Sequence, residues 1–124
     1  MSADHIHFFL TLRSQIKLYH WQTFQYARHR ATDSVLEEID DVTDSFVEIY
    51  FGKYGRSKLS NKYASMTLKN MTDKEAISFV KKSIQYVIED VTASLDAKKD
   101  TDLLNLRDEL LGHLNQLLYL FTLH

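Results

Sequence analysis

The 124-residue chain contains no cysteine, no proline and only three glycines. Without cysteine there are no disulfides, no thiolate metal ligands and no thiol nucleophile, which fits an intracellular setting. Without proline no helix is obligatorily broken, and three glycines punctuate few turns. Few, long helices are therefore expected. No apolar run approaches the roughly 20 residues that span a bilayer. The opening MSADHIHFFLTLRSQ lacks the basic region and apolar core of a secretion signal, so a cytoplasmic location is expected. A formal net charge of −2 gives no general electrostatic footprint for nucleic acid.

What is present reads as an ordinary folded chain, 44% hydrophobic and 26% charged. Its length suits one domain, residues 1–124, with a modest core and something to gain from hiding more surface in an oligomer. Phe8, Phe9, Leu12, Ile16 and Tyr19 fall at helical spacing and predict a first helix over about 5–22. Val35, Ile39, Val42, Phe46 and Ile49 predict a second over 28–51, with Gly52 as its stop. In TDKE, Thr72 and Glu75 form a capping box for a third helix, which carries Ile77, Val80, Ile84, Val87, Val91 and Leu95 and closes near Lys98 and Lys99. Asp100 or Thr101 caps a fourth, running through Leu103, Leu106, Leu110, Leu114, Leu117 and Phe121. Residues 53–71 read as a connector with one short helix near 62–66. It carries Lys53, Arg56, Lys58, Lys62 and Lys69 and no acidic residue. The expectation is an all-α four-helix bundle, a fold that builds metal and cofactor sites from side chains on facing helices.

The second helix is the unusual one. Asp33, Glu37, Asp40, Asp41, Asp44 and Glu48 share one sector of it, about 100° wide. The simplest reading is a solvated face. Such faces usually carry Lys or Arg at i,i+4 to relieve repulsion, and from Ala31 to Gly52 there is neither. Uncompensated carboxylates call for cations, either basic side chains from elsewhere or metal ions. His29 continues the same sector, and His20 lies nine residues before it. His29 and Asp44 are about 22 Å apart along a helix at ~1.5 Å per residue, far beyond the reach of one metal ion. Two copies packed antiparallel about a two-fold axis bring His29 of one beside Asp44 and Glu48 of the other.

The stretch LTLRSQIKLYHWQT, a second histidine and carboxylates at these spacings resemble the Dps family, the miniferritins of the ferritin-like superfamily. Its members end the first helix in His-Trp, place a second His at the start of the second helix and an Asp four residues on. Another Asp follows fifteen residues after that His, and a Glu four beyond it. His20-Trp21, His29, Asp33, Asp44 and Glu48 stand at those places. The resemblance implies a ferritin-like bundle with a connector between helices 2 and 3, and a ferroxidase centre at a two-fold interface. His20, His29 and Asp33 would come from one subunit, and Asp44 and Glu48 from its partner. It implies Fe(II) as the ion bound and oxidised to Fe(III) by H2O2 or O2, with Zn or Mn as substitutes. It also implies protection against oxidative damage, iron storage and a homo-oligomer, at least a dimer and in the family a dodecameric shell. Trp21 would be a redox-active neighbour of His20 or a large interface side chain. The turn between the histidines is three residues shorter than the family's usual version, which predicts a shift of His29 relative to His20. The Lys-rich arm with which some members bind DNA has no counterpart, so DNA binding is not expected.

Two other readings compete. A ferritin-like bundle without catalysis would keep the fold and the dimer as a scaffold. RDELLGH, Arg107 to His113, matches the loose Arg-His pattern of HEPN-type ribonucleases, which cleave RNA without metal. The bland alternative puts Arg107 and His113 on the polar side of the last helix. His5, His7 and His124, near the chain ends, are assigned no role.

Overall fold

The computed structural model describes residues 3–124; the first two residues of the expected domain lie outside it. Among the described residues four α-helices form: α1 (Ala3–Gln22), α2 (Tyr26–Tyr54), α3 (Asp73–Tyr86) and α4 (Thr101–Leu120). A π-helical segment, Val87–Val91, continues α3, and no strand is found among the described residues. The all-α class and the four-helix count are those expected from the periodicity. No described helix is long and apolar enough to cross a membrane.

The apolar stripes meet in one core. Leu12, Ile16 and Tyr19 of α1 pack with Val35, Ile39, Val42 and Phe46 of α2. Val80, Val87 and Val91 join them, as do Leu103, Leu110, Leu114 and Leu117 of α4. The capping box forms as expected: the Glu75 amide donates to Thr72 Oγ1 (3.2 Å) and the Thr72 amide to Glu75 Oε1 (3.1 Å).

Three boundaries differ from expectation. α2 runs through Gly52 and stops at Gly55, whose φ of 89° only glycine adopts readily and whose amide bonds the Phe51 carbonyl at 2.8 Å. A single interior glycine costs about 1 kcal/mol in a helix, which the packing of so long a helix absorbs. α3 and its π-helical extension end by residue 93, short of Lys98 and Lys99. Asp96 is the reason: its carboxylate takes the Lys98 and Lys99 amides at 2.8 Å each, offering the backbone a turn in place of a helix. In the connector the expected short helix is a single 3-10 turn, Asn61–Tyr63.

The basic connector does not dock on the acidic helix. It lies along α1, where Gln15 exchanges hydrogen bonds with the Lys69 backbone (2.7 and 2.9 Å) and Gln22 donates to Asn70 Oδ1 at 2.8 Å. On α1 these residues are turned roughly 150° from Phe9, Arg13 and His20, which meet α2. The acidic stripe is thus left open to whatever lies outside the four helices.

Asp100 occupies the N-cap of α4 without capping it through its side chain. It instead receives the Asp96 amide (2.8 Å), the Tyr54 hydroxyl (2.5 Å) and Lys53 Nζ (3.1 Å). Burial pushes its carboxyl pKa up, and these three donors outweigh that and hold it below the ordinary carboxylate value. Asp96 and Asp102 are lowered too, the first by the Lys99 and Lys98 amides and the second by Lys53. A folded-state pKa below the unfolded value stabilises the fold above about pH 4 and loses that contribution as pH falls through the folded value. Urea midpoints at neutral pH and in acid check this. Asp100→Asn is expected to narrow the difference between the two relative to the parent chain; an unchanged difference would show that the carboxylate plays no part.

Candidate metal centre

α1 and α2 are joined by Thr23–Gln25 alone, which sets the last turn of α1 against the first turn of α2. A buried cation fixes this corner. Arg28 Nη1 donates to the Tyr19 hydroxyl (2.9 Å) and the Asp73 carbonyl (2.8 Å), and Nη2 to the Phe121 carbonyl (3.3 Å). The Tyr19 hydroxyl donates to Asp73 Oδ1 at 2.5 Å, and Gln25 Nε2 to Asp73 Oδ2 at 2.8 Å. Burial, with Asp73 adding to it, pushes the Tyr19 phenol pKa up.

The corner brings His20 and His29 face to face. Their ring centroids are 3.9 Å apart and their planes 14° from parallel, so the shortened turn keeps the two imidazoles in contact. Each is pinned through Nδ1. His29 Nδ1 lies 2.9 Å from the His20 carbonyl; a carbonyl only accepts, so His29 carries its proton on Nδ1. His20 Nδ1 lies 2.9 Å from Thr32 Oγ1. The single Thr32 hydroxyl proton goes back to the Arg28 carbonyl, 2.8 Å away, so the oxygen accepts from His20, which is also protonated on Nδ1. Both Nε2 atoms are left with a lone pair, the arrangement in which imidazoles bind metals. His20 is only 5% exposed. Burial, then the neighbouring His29, pushes its pKa down, favouring the neutral ligand form.

The carboxylates stand elsewhere. Asp33, Asp44 and Glu48 are exposed on α2, and among the described residues no three His, Cys, Asp or Glu side chains are grouped to hold a metal ion. One chain therefore brings His20 and His29 together, but not with Asp33, Asp44 and Glu48 as a set. Asp44 and Glu48 line a groove of about 470 Å³ with Ile6, Leu10 and Val47. Two carboxylates of α2 meet basic side chains from other helices: Arg13 Nε meets Asp40 of the stripe at 2.6 Å, and His113 Nδ1 meets Glu38, outside it, at 2.7 Å. Asp33, Glu37, Asp41, Asp44 and Glu48 form no such pair among the described residues.

Around the histidines the surface is aromatic. Trp21, Phe24 and Tyr26 are exposed, and Lys17 Nζ sits 5.3 Å from the Trp21 ring centroid. Arg107 and His113 are held apart. Arg107 binds Asp108 and Thr92, whereas His113 turns to α2. Sequence reasoning missed Thr32 and Arg28, the residues that hold the pair. The available signal was a mid-helix threonine three residues beyond His29, a residue type that bonds back to its own helix.

Residues 20–121 match the model of a family of unknown function, DUF5856. No curated protein and no solved structure matches the chain.

Proposed function

The chain belongs to the DUF5856 family, and we propose that it is a ferritin-like, Dps-type ferroxidase that binds Fe(II) between two subunits and oxidises it with H2O2 or O2. One observation carries this reading: two stacked imidazoles, each hydrogen-bonded through Nδ1, at the start of a helix whose Asp33, Asp44 and Glu48 are exposed and form no ion pair among the described residues. Nitrogen and oxygen donors of this kind suit Fe(II), with Zn(II) and Mn(II) as competitors. The carboxylates come from a second copy. His20, His29 and Asp33 of one subunit face Asp44 and Glu48 of the other, twice per dimer. Dimers of this kind are the building unit of a larger shell in which oxidised iron is stored, protecting the cell from oxidative damage.

Each Nε2 lone pair lies in its own ring plane, so two nearly parallel rings do not aim at one ion. Each ring would hold its own ion together with the partner's carboxylates, so that a pair of ions would be bound at each site. Two Fe(II) ions are then the substrate. Each gives up one electron; H2O2 takes both with two protons, its O–O bond breaks, and two waters leave. With O2 as oxidant the same two electrons and two protons yield H2O2. The chain's own residues bind and orient: Asp44 and Glu48 as anionic anchors, His20 and His29 as neutral ligands, Thr32 as the group that fixes the His20 proton.

The test is anaerobic mixing with Fe(II), addition of H2O2 or O2, and near-UV detection of Fe(III), with a His20→Ala/Asp44→Ala double variant alongside. The parent chain is expected to outpace buffer and the variant to match it. If both match buffer, the ferroxidase reading fails and a helical scaffold without catalysis takes its place.

A further inference from the structure

In the bundle α1 packs on α2, α2 on α4 and α4 on α3. The remaining seam, between α1 and α3, is pinned at its two ends. At one end the Tyr19 hydroxyl donates to Asp73. At the other the Tyr86 ring stacks on Phe8, centroids 4.0 Å apart, and its hydroxyl lies 2.6 Å from His5 Nδ1. Between the pins α1 presents Thr11 and Gln15, and α3 presents Ser78, Phe79 and Lys82. The short Thr11 and Ser78 side chains leave the middle of the seam unfilled. It opens there into a cleft of about 290 Å³, edged by the connector at Lys69 and Met71. That volume lies at the small end of the ~300–1,000 Å³ found for small-molecule sites.

Gln15, 3% exposed, holds the connector over the cleft. Its amide nitrogen donates to the Lys69 carbonyl and its oxygen accepts from the Lys69 amide. Both ends of that amide are thereby used, and the polar capacity left in the cleft belongs to other groups. Lys69 and Lys82 form no ion pair among the described residues. Glu75, the carboxylate of the lining, is committed to the Thr72 amide in the capping box. Two lysines against one carboxylate leave the lining positive. Thr11 Oγ1, in the wall, has no hydrogen-bond partner among the described residues, although a helical threonine ordinarily bonds back to its own helix. Phe79 and Met71 supply apolar surface. An apolar wall with a few polar groups and uncompensated cations is the make-up of a site for a small organic anion.

We propose that the α1–α3 cleft binds a small organic carboxylate, its apolar body against Phe79 and Met71 and its charge against Lys69 and Lys82. A lysine ammonium is a compact charge on a flexible stem, so the two cations select the sign of the ligand while the apolar wall selects its body. Thr11 and Gln15 are on the side of α1 turned away from α2, so the cleft is separate from His20 and His29. It stands or falls independently of the ferroxidase reading.

The test is a titration of the full chain, followed through backbone-amide NMR spectra, with benzoate, hexanoate, the neutral benzamide and inorganic phosphate. The expected result is saturable shifts at residues 67–71 and 78–82 with benzoate or hexanoate. Benzamide, which lacks the charge, and phosphate, which lacks the apolar body, bind at least tenfold more weakly. Lys69→Gln/Lys82→Gln weakens carboxylate binding at least tenfold. Ser78→Leu, at an exposed position, fills the cleft and abolishes binding, with thermal unfolding alongside to show that the fold is kept. Benzamide binding as tightly as benzoate overturns the selection for an anion. Phosphate binding as tightly overturns the part given to Phe79 and Met71. Spectra unmoved by either carboxylate, or the same affinity in Ser78→Leu, overturn the site itself.

Discussion

Replacing Thr32 with valine is expected to weaken Zn(II) or Fe(II) binding by about 10–100-fold, the usual effect of removing the group that orients a metal-ligating histidine. The substitution keeps the shape of the side chain and removes one oxygen. That oxygen accepts the His20 Nδ1 proton because its own proton is committed to the Arg28 carbonyl. With valine in place the buried Nδ1–H has no acceptor, at a cost of about 1–3 kcal/mol. The imidazole escapes by moving its proton to Nε2 or by turning, and either route withdraws the lone pair that meets the metal. Thr32→Ser retains the hydroxyl and is expected to bind close to the parent. Calorimetric titration of the three proteins with Zn(II), with thermal unfolding alongside, separates lost affinity from lost fold. Equal affinity in the valine variant would mean that Thr32 does not set the His20 tautomer.

Thr32 also shows where the sequence stops being legible. The helices could be read because each apolar stripe is a local pattern, and Thr72 and Glu75 because a capping box spans four residues. The candidate centre was legible as a set of residue types at spacings: His20, His29 and the carboxylates from Asp33 to Glu48. The hydrogen bonds that make the histidines ligands were not. His20 meets Thr32 across twelve positions and a chain reversal, and nothing in either segment alone announces that meeting. The apolar stripe of α3 outruns its helix for a similar reason. Its stripe runs on to Leu95, while the carboxylates of Asp96 and Asp100 compete for the backbone amides that would extend it. The unpaired appearance of the acidic helix was partly a one-dimensional effect as well. Two of its carboxylates meet basic side chains from α1 and α4, which only the packed fold brings near.

Arg28 is the most distant case, and its loss should cost the most stability. In the sequence it marks only the start of a helix; in the fold it is nearly buried and joins four segments of chain. Arg28→Ala leaves the Asp73 and Phe121 carbonyls without their donor and takes the cation from beside the Tyr19–Asp73 pair. It also removes a guanidinium that lies 4.5 Å from the Phe121 ring centroid. Hydrogen bonds to a charged group and the penalty for stranding buried partners together predict a loss of about 3 kcal/mol. That is a large share of the 5–15 kcal/mol typical of a domain. Arg28→Lys keeps the charge without the planar fork and is expected to fall between the two. Urea unfolding with an unchanged slope and a lowered midpoint would report the loss as stability alone. A loss below about 1 kcal/mol would mean that the guanidinium only fills space. The corner it fixes is the one that holds His20 against His29, so Arg28→Ala should lose Zn(II) affinity under conditions where it is still folded. Thr32→Val should lose affinity with far less stability, and that contrast separates the group that builds the corner from the group that sets the proton.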